Sequence, residues 1–396
     1  MRQLPLIFSL LAVSVSHAAT LPESHSQFAF SLYSQIETED NLVFSPFSIA
    51  TCLSMVYLGA RADTETEMQH ALHLDIDRKN IAKTSQELIQ SLLPAKENDK
   101  SYTLNIANAI WVDPAIFLLT DFRYAVQQQF KANLAKLDFS IPAEAVKTIN
   151  DWTSEKTEGK IPEILHAEDI DTNTRLVLTN AMYFQGEWSS PFDPKTTQDW
   201  PFHPTSEKSI TVKMMHQTFS LPYYENDLLQ AAALPFAGKS NDGGNIAFVI
   251  LLPKSAENFS AVATALPTAM CDWMKSLSLQ KVEMKLPKFT IDMRLPLNEP
   301  LKHLGMEDAF DANANFAGID GMRDLSLNKV IHQTFFALDE NGVTATAATS
   351  ASLNLTSIPE KKLPVQFIAD HPFLFFIIDL KSQEMLFMGK VFQPST

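Results

Sequence analysis

The sequence predicts one α+β domain with antiparallel or mixed sheets. Helical patterns are gathered in the first third of the chain, whereas strand patterns dominate from about Arg175 onward. The two kinds of element do not alternate as they do in βαβ folds, and neither an internal repeat nor a low-complexity linker divides the 396 residues. Separate runs of helices and strands are typical of α+β domains.

The helices are predicted from apolar spacing and from the signals that start or stop a helix. Phe28, Leu32 and Ile36 recur at helical spacing and predict a first helix from about residue 27. Gly59 is a stop signal for the helix before it. The other predicted helices cover residues 48–58, the segment opened by a capping box at residues 64–67, and residues 121–130 and 143–156.

The strands are predicted from apolar and alternating runs. Residues 246–252 and 373–378 are almost wholly apolar, which is typical of strands covered on both faces. Residues 281–286 alternate strictly between charged and apolar side chains and predict a strand with one wet face. A fourth strand is predicted over residues 176–184.

Charge and motif content exclude several classes of function. The net charge is -15 and the pI is near 5.1, which argues against binding to nucleic acid or to an anionic membrane. Residues 65–100 mix basic with acidic side chains, which argues against heparin binding. No P-loop, Gly-x-Gly-x-x-Gly motif or Cys/His cluster predicts a cofactor or metal. The two cysteines, Cys52 and Cys271, make no disulfide scaffold, and the sequence leaves their pairing open.

The first 18 residues are predicted to be a signal peptide. Arg2 supplies a positive charge, residues 4–15 are mostly apolar, and Ser16-His17-Ala18 places small residues before the cleavage point. The apolar run is too short to span a bilayer, and the cap of a buried N-terminal helix, the alternative, is missing. We therefore expect a protein secreted to the extracellular space or a periplasm, with a single domain over residues 19–396.

Catalytic motifs are missing from the sequence. It contains no Gly-x-Ser-x-Gly elbow and no His-Glu-x-x-His motif. His216 and His332 each stand in an apolar neighbourhood and are interpreted as hydrogen-bonded structural residues. Composition leaves a Ser/His/Asp triad open, but no spacing supports one. The sequence therefore favours a protein that is not an enzyme, with a secreted hydrolase as the remote alternative.

A strand-like segment occupies a place where a loop is expected. After Asp339-Glu340-Asn341-Gly342 come sixteen residues without charge, proline or glycine, most of them small or β-branched. This composition favours a strand, whereas a connecting loop normally contains turn-forming residues. The segment nevertheless lies between two runs that already predict complete strands. We interpret it as a device that changes conformation; the alternative is a flexible Ser/Thr/Ala linker.

Ordered motifs spread over about 350 residues resemble the serpin family of serine protease inhibitors. The match at the C-terminal end is especially close. The segments that carry the resemblance are Asn41–Ala50 with Leu58-Gly59-Ala60, Asn150-Asp151-Trp152 with Thr157–Ile161, Leu178–Trp188, Phe367–Ile377 and Met388–Val391.

The resemblance implies the serpin fold, with three β-sheets, about nine helices and an exposed reactive loop at about residues 340–362. It also implies suicide inhibition of a serine or cysteine protease. The protease cleaves the loop, the cleaved loop enters the main sheet as a new strand, and the acyl-enzyme is trapped in a one-to-one covalent complex. A monomer that forms loop-sheet polymers on mild heating is expected as well. A non-inhibitory serpin that acts as a carrier or chaperone is the main alternative.

The hinge of this loop is expected at Glu340 and Gly342 and at the small residues beyond them. Alternate side chains of a strand share a face, so an inserted loop would send one uncharged set inward. Val343 departs from the Thr or Ser usual in inhibitory members, and Asn341 replaces a commonly charged residue. The remaining hinge residues are Ala345, Ala347 and Ala348, and the resemblance implies a sheet-opening region at Ser45, Ser48, Asn180, Trp188 and His332.

Two counts place the scissile bond differently. Counting about seventeen residues from Glu340 gives Thr356–Ser357, which we prefer because the strand length before the cut determines where the trapped protease lands. Thr356 behind Leu355, itself a less favoured cleavage position, would suit an elastase-like or chymotrypsin-like protease. Counting back from the C-terminal motif gives Lys361 or Lys362 and a trypsin-like target.

Overall fold

The computed structural model describes residues 19–36, 38–93, 102–238, 245–344 and 363–395. The predicted signal peptide and most of the predicted reactive loop lie outside these ranges. Nine α-helices lie within them: α1 (Leu21–Gln35), α2 (Pro46–Tyr57), α3 (Ala62–Ala71), α4 (Arg78–Leu92), α5 (Thr120–Tyr124), α6 (Pro142–Lys156), α7 (Phe259–Lys275), α8 (Asn298–His303) and α9 (Ala317–Asp320).

Strands dominate the second half of the chain, as the sequence predicts. The described residues form β1 (Leu42–Phe44), β2 (Tyr102–Val112), β3 (Asn133–Lys136), β4 (Leu176–Glu187), β5 (Gln198–Thr205), β6 (Lys208–Glu225), β7 (Leu229–Pro235), β8 (Ile246–Pro253), β9 (Ser278–Pro287), β10 (Phe289–Pro296), β11 (Lys329–Leu338), β12 (Gly342–Val343), β13 (Val365–Ile368), β14 (Phe373–Asp379) and β15 (Glu384–Val391).

The strands form one six-stranded sheet and one nine-stranded sheet within the described ranges. The six-stranded sheet, called the main sheet here, has the order β10-β11-β12-β4-β2-β3. The larger sheet has the order β1-β15-β14-β8-β7-β6-β9-β13, with β5 beside β6. The larger sheet has two halves, β1-β15-β14-β8-β7 and β6-β9-β13 with β5. Only the last three residues of β6, from Tyr223 to Glu225, pair with β7 and join these halves. Counting these halves separately gives the three sheets that the resemblance implies, and the α+β class is confirmed.

The main sheet is covered on both faces. On one face lies the large core, to which α2 contributes a helix whose every residue is buried. On the other face α6 and the segment after it bury a smaller apolar cluster that includes Trp111, Ile149 and Ile331. Along β4, even-numbered residues such as Met182 face the large core, while odd-numbered residues such as Ala181 face α6. Any new strand in this sheet must therefore fit two closed surfaces.

Some local predictions need correction. The proposed capping box at residues 64–67 is wrong, because α3 begins at Ala62 and the Thr64 hydroxyl instead accepts a hydrogen bond from the Asn315 backbone N–H at 3.0 Å. The helix predicted over residues 121–130 is α5 followed by a π-helical turn over Ala125–Gln129. No helix within the described ranges is long and apolar enough to cross a membrane.

Candidate functional site

The predicted hinge enters the main sheet between two parallel strands. β4 and β11 pair directly from Val177–Lys329 to Tyr183–Phe335. Beyond that point β12 lies between them and is antiparallel to both, with Val343 opposite Leu338 and Gly186. Val343 is fully buried in the large core. The hinge thus already contributes a two-residue strand to the sheet.

The register of β12 agrees with that of the strands on either side. Paired residues of β11 and β4 differ by 152 in number, as Lys329 and Val177 do. Val343 pairs with Leu338 and Gly186, whose numbers differ by 152 as well. A longer strand that continued from Val343 would therefore meet both neighbours in continuous register. β4 and β11 would need to separate, but neither would need to slide.

A tight turn from Asp339 to Gly342 connects β11 to β12. The Asp339 carboxylate accepts the backbone N–H groups of Asn341 and Gly342 at 2.8 and 3.3 Å, and the Asp339 N–H donates to the Gly342 carbonyl at 2.9 Å. Gly342 has φ +156°, and a Cβ added there would lie 1.9 Å from the Gly186 carbonyl oxygen. Only glycine fits this close approach of the hinge to β4.

Trp188 holds this turn from the end of β4. Its indole N–H donates to the Asp339 carbonyl at 3.0 Å, and its backbone N–H donates to the Asn341 carbonyl at 2.8 Å. The ring stacks on Phe236 with 4.8 Å between centroids. The predicted sheet-opening residue is therefore in direct contact with the hinge.

Glu340 anchors the hinge through its side chain. The Lys288 ammonium donates to one carboxylate oxygen at 2.8 Å and the Thr197 hydroxyl donates to the other at 2.7 Å. Burial acts to raise the pKa of Glu340, but these two hydrogen bonds, together with a backbone hydrogen bond and the charge of Lys288, hold the pKa below its ordinary value of 4.5. The anchor therefore contributes stability above that pH and loses it as the pH falls further.

Lys288→Met is expected to weaken the anchor. The change leaves the buried Glu340 carboxylate without its cation, which should lower the free energy of unfolding by about 1–3 kcal/mol. Denaturant unfolding measures this loss. Lys213→Met is the matched control, because its ion pair with Asp199 spans 2.7 Å but has side chains 56% and 64% exposed and should contribute below about 0.5 kcal/mol. Equal losses in both variants would contradict a special role for the anchor.

Thr344, the last described residue at the N-terminal end of the reactive loop, has a strained backbone. Its φ is +53°, in the left-handed region that β-branched residues rarely occupy. Its hydroxyl is buried and has no hydrogen-bond partner among the described residues. Such a conformation costs about 1–3 kcal/mol. Extension of β12 past Val343 would return Thr344 to an extended conformation and release this strain.

A buried polar cluster lies under the pairing of β4 with β11. Asn180 on β4 donates to the Ser48 carbonyl at 3.0 Å and to the side-chain oxygen of Asn108. The Ser45 backbone N–H donates to His332 Nε2 at 2.9 Å, so the ring proton lies on Nδ1, which donates to the Asn180 side-chain oxygen. The structure thus brings the four predicted residues together and adds Asn108.

Asn180→Ala is expected to destabilise the protein strongly. The change would leave the His332 Nδ1–H and the Ser48 carbonyl without their partner inside the core, at a cost of about 3 kcal/mol. The denaturant midpoint measures the loss, and light scattering should show polymers at a lower temperature. Asn105→Ala on β2 is the control, because the Asn105 amide makes its 3.2 Å bond to Glu158 at the surface. If Asn180→Ala lowers the free energy of unfolding by less than about 1 kcal/mol, the role of Asn180 as the buried partner of His332 and Ser48 is contradicted.

His332 makes stability depend on pH. Complete burial lowers the pKa of His332 from 6.5 to about 3, with a smaller opposing effect from Asn180. Below about pH 6.5 His332 therefore binds a proton in the unfolded chain but not in the folded chain. The free energy of unfolding falls as the pH falls through this range. We expect this residue to remove about 2 kcal/mol between pH 7 and pH 5. His332→Gln should lose that part of the slope in denaturant titrations; an unchanged slope would contradict the neutral, buried histidine.

Several site residues were not predicted from the sequence, and several predicted ones cannot be placed. Lys288, Thr197 and Asn108 contact the predicted residues but carry no local signal, since each is more than 50 positions from its partner. His216 is hydrogen-bonded to Glu283 at 3.0 Å, as interpreted from the sequence. Among the described residues no cluster could hold a metal, and both cysteines are free. Outside the described ranges lie Ala345, Ala347, Ala348, Leu355, Thr356, Ser357, Lys361 and Lys362.

Comparisons with known proteins match this architecture. Residues 23–394 match the family model described as serpin (serine protease inhibitor). The leukocyte elastase inhibitor of Sus scrofa is 36% identical over 388 residues, covering 94% of this chain and 99% of that protein. An uncharacterised serpin-like protein of Thermococcus kodakarensis is 35% identical over 371 residues, covering 93% and 84%. The crystal structure of a highly specific serpin of the insect Tenebrio molitor is 30% identical, with a TM-score of 0.84 and coverage of 95% and 98%. The chain belongs to the serpin family.

Proposed function

We propose that this protein is a secreted suicide-substrate inhibitor of an elastase-like or chymotrypsin-like serine protease. The observation that carries the proposal is the position of β12 between β4 and β11, in a register that a longer strand can continue. The leukocyte elastase inhibitors of several vertebrates are 33–36% identical to this chain. Their similarity supports protease inhibition as the function and an elastase-like protease as the target. No observation favours the carrier or the hydrolase alternative.

Loop insertion after cleavage would extend β12 down the whole main sheet. Continuous register would place Leu353 opposite Leu176, the first residue of β4. The parallel pairing of β4 with β11 would be replaced by two antiparallel ladders, which are slightly more stable per residue. About ten new hydrogen bonds at about 1 kcal/mol net each would drive the change. The hydrogen bonds that form only on insertion support the proposal that the uncleaved protein is metastable.

The side chains of the loop fit the two surfaces that they would meet. Ala345, Ala347 and Thr349 would share the face of Val343 and enter the large core. Thr349 would lie directly opposite Asn180 and His332, whose mutual hydrogen bond must break when the strands separate. Its hydroxyl can replace that partner for both residues. The loop would therefore bring a polar group to the level of Asn180 and His332.

The length of the main sheet supports cleavage at Thr356–Ser357. Insertion would end near Leu353, so a protease attached to Thr356 would be held by about three residues at the far end of the sheet. Attachment to Lys361 would leave a tether about eight residues long, which reaches roughly 25 Å and would not press the protease against the inhibitor. A short tether supports the preference for Thr356 over Lys361 and Lys362.

Secretion is proposed from the predicted signal peptide at residues 1–18. Removal of this segment would leave the first helix intact, because the capping box of α1 is formed by Thr20 and Glu23. The Ala19 backbone nitrogen lies 3.1 Å from a carboxylate oxygen of Asp75, which could also pair with a new amino terminus. N-terminal sequencing of protein from the host's secreted fraction tests the cleavage point.

The inhibitory function is tested by mixing the protein with elastase, chymotrypsin and trypsin. We expect a one-to-one complex with elastase or chymotrypsin that resists denaturant, and a released C-terminal peptide that begins at Ser357. Protease with a blocked active-site serine is the control and should give no complex. Cleaved protein without any complex across the panel would overturn inhibition, and a peptide that begins after Lys361 or Lys362 would overturn the cut site.

A further inference from the structure

The hinge contains the chain's single Asn-Gly pair, Asn341-Gly342. Glycine after asparagine favours attack by its own backbone nitrogen on the asparagine side chain, because no Cβ hinders the approach. We propose that Asn341 is a site of spontaneous deamidation, and that its conversion to isoaspartate disables the hinge. The chemical step depends only on the described turn, whereas its effect on inhibition rests on the proposed function.

The reaction needs only water. The Gly342 nitrogen loses its proton and bonds to Cγ of Asn341, and the side-chain nitrogen leaves as ammonia. The cyclic imide that results is opened by water at either of its two carbonyls. One opening gives aspartate and the other gives isoaspartate, in which the main chain runs through the former side chain. No oxidation or reduction occurs.

Within the described ranges, the turn leaves the Asn341 side-chain amide unbound and places an acceptor on the Gly342 N–H. The Asn341 side-chain amide has no hydrogen-bond partner among the described residues and is half-buried, so it is free to rotate towards the main chain. The Asp339 carboxylate accepts the Gly342 N–H at 3.3 Å and lies where a base could receive its proton. The Asn341 N–H is held by the same carboxylate at 2.8 Å, which keeps the turn together during the reaction.

Conversion would disturb the register on which insertion depends. Isoaspartate adds one carbon to the main chain between residues 341 and 342. That point lies between the Trp188 N–H bond to the Asn341 carbonyl and the Asp339 N–H bond to the Gly342 carbonyl, at 2.8 and 2.9 Å. An extra atom there would displace Val343 from its position opposite Gly186. Either product also adds a carboxylate next to Glu340.

Ageing the protein at mildly alkaline pH tests the chemical step. We expect peptide mapping and isoaspartyl methyltransferase labelling to find conversion at Asn341 before any other asparagine. Asn173 is the internal reference, because it is exposed and precedes the branched Thr174. Asn341→Gln is the matched variant, because its longer side chain forms the imide ring far more slowly, and it should remain unlabelled. Earlier conversion at Asn173 or elsewhere would overturn the site.

Complex formation with the target protease tests the consequence. Aged wild-type protein should lose complex-forming capacity in proportion to the fraction converted to isoaspartate, while aged Asn341→Gln keeps the capacity of the fresh variant. Full capacity in converted protein would overturn the effect on the hinge. Fresh protein that forms no complex would overturn the proposed function instead. Peptide mapping and methyltransferase labelling would still decide whether Asn341 is modified.

Discussion

Val343→Arg is expected to turn the protein from an inhibitor into a substrate. Val343 is fully buried between β4 and β11, and its side chain faces the large core. An arginine there would bury an unpaired charge at a cost of about 3–5 kcal/mol, at the position from which insertion must proceed. The loop should still be cleaved, but the denaturant-resistant complex should fall below about a tenth of the wild-type yield. Electrophoresis of the reaction with protease measures both products.

Val343→Thr is the control for this experiment. Threonine has nearly the shape of valine, carries no charge, and is a residue usual at this position in inhibitory serpins. It should form the complex in the same yield as the wild type. Complex formation by Val343→Arg at the wild-type yield would show that β12 is not the leading end of an inserting strand.

Cleavage of the loop is expected to raise the unfolding temperature by roughly 13 °C, because about ten new hydrogen bonds would add on the order of 10 kcal/mol. The uncleaved protein lacks these bonds, since β4 and β11 pair with each other below β12. Calorimetry of the intact form and of a form cleaved between residues 353 and 362 measures the shift. Val343→Arg cleaved in the same way is the control and should gain far less.

A cleaved wild-type protein that unfolds at the same temperature as the intact one would favour the linker interpretation of residues 343–358. In a linker, the cut ends would separate without forming a strand. The size of the shift therefore distinguishes a strand that inserts from a loop that is merely cut.

Several of the helices and strands were predictable because apolar spacing is a local property. The predicted strands at residues 246–252 and 373–378 lie within β8 and β14, whose residues are all buried. The capping box at residues 64–67 was misleading because a tertiary contact, from Asn315 to Thr64, replaces the local cap. Local patterns thus located several elements but missed others, such as the helix α7 and the strand β6.

Only some residues of the hinge were predictable from the sequence. Glu340, Gly342 and Val343 could be selected from resemblance and from their small or charged side chains. The Lys288 anchor could not be predicted, because it depends on a turn between β9 and β10 that brings Lys288 to Glu340. The strain at Thr344 could not be predicted either, because it depends on a backbone angle. The agreement in register between β12 and its neighbours exists only in three dimensions. It is also the strongest support for insertion.

The structure of the cleaved protein tests the central claim most directly. If the loop inserts without a change of register, residues 344–353 will form a strand between β4 and β11, with Thr349 opposite Asn180 and His332. β4 and β11 will have separated, and neither will have moved along the other. A cleaved protein in which Lys329 still pairs with Val177, and in which the chain after Val343 lies outside the main sheet, would contradict the claim.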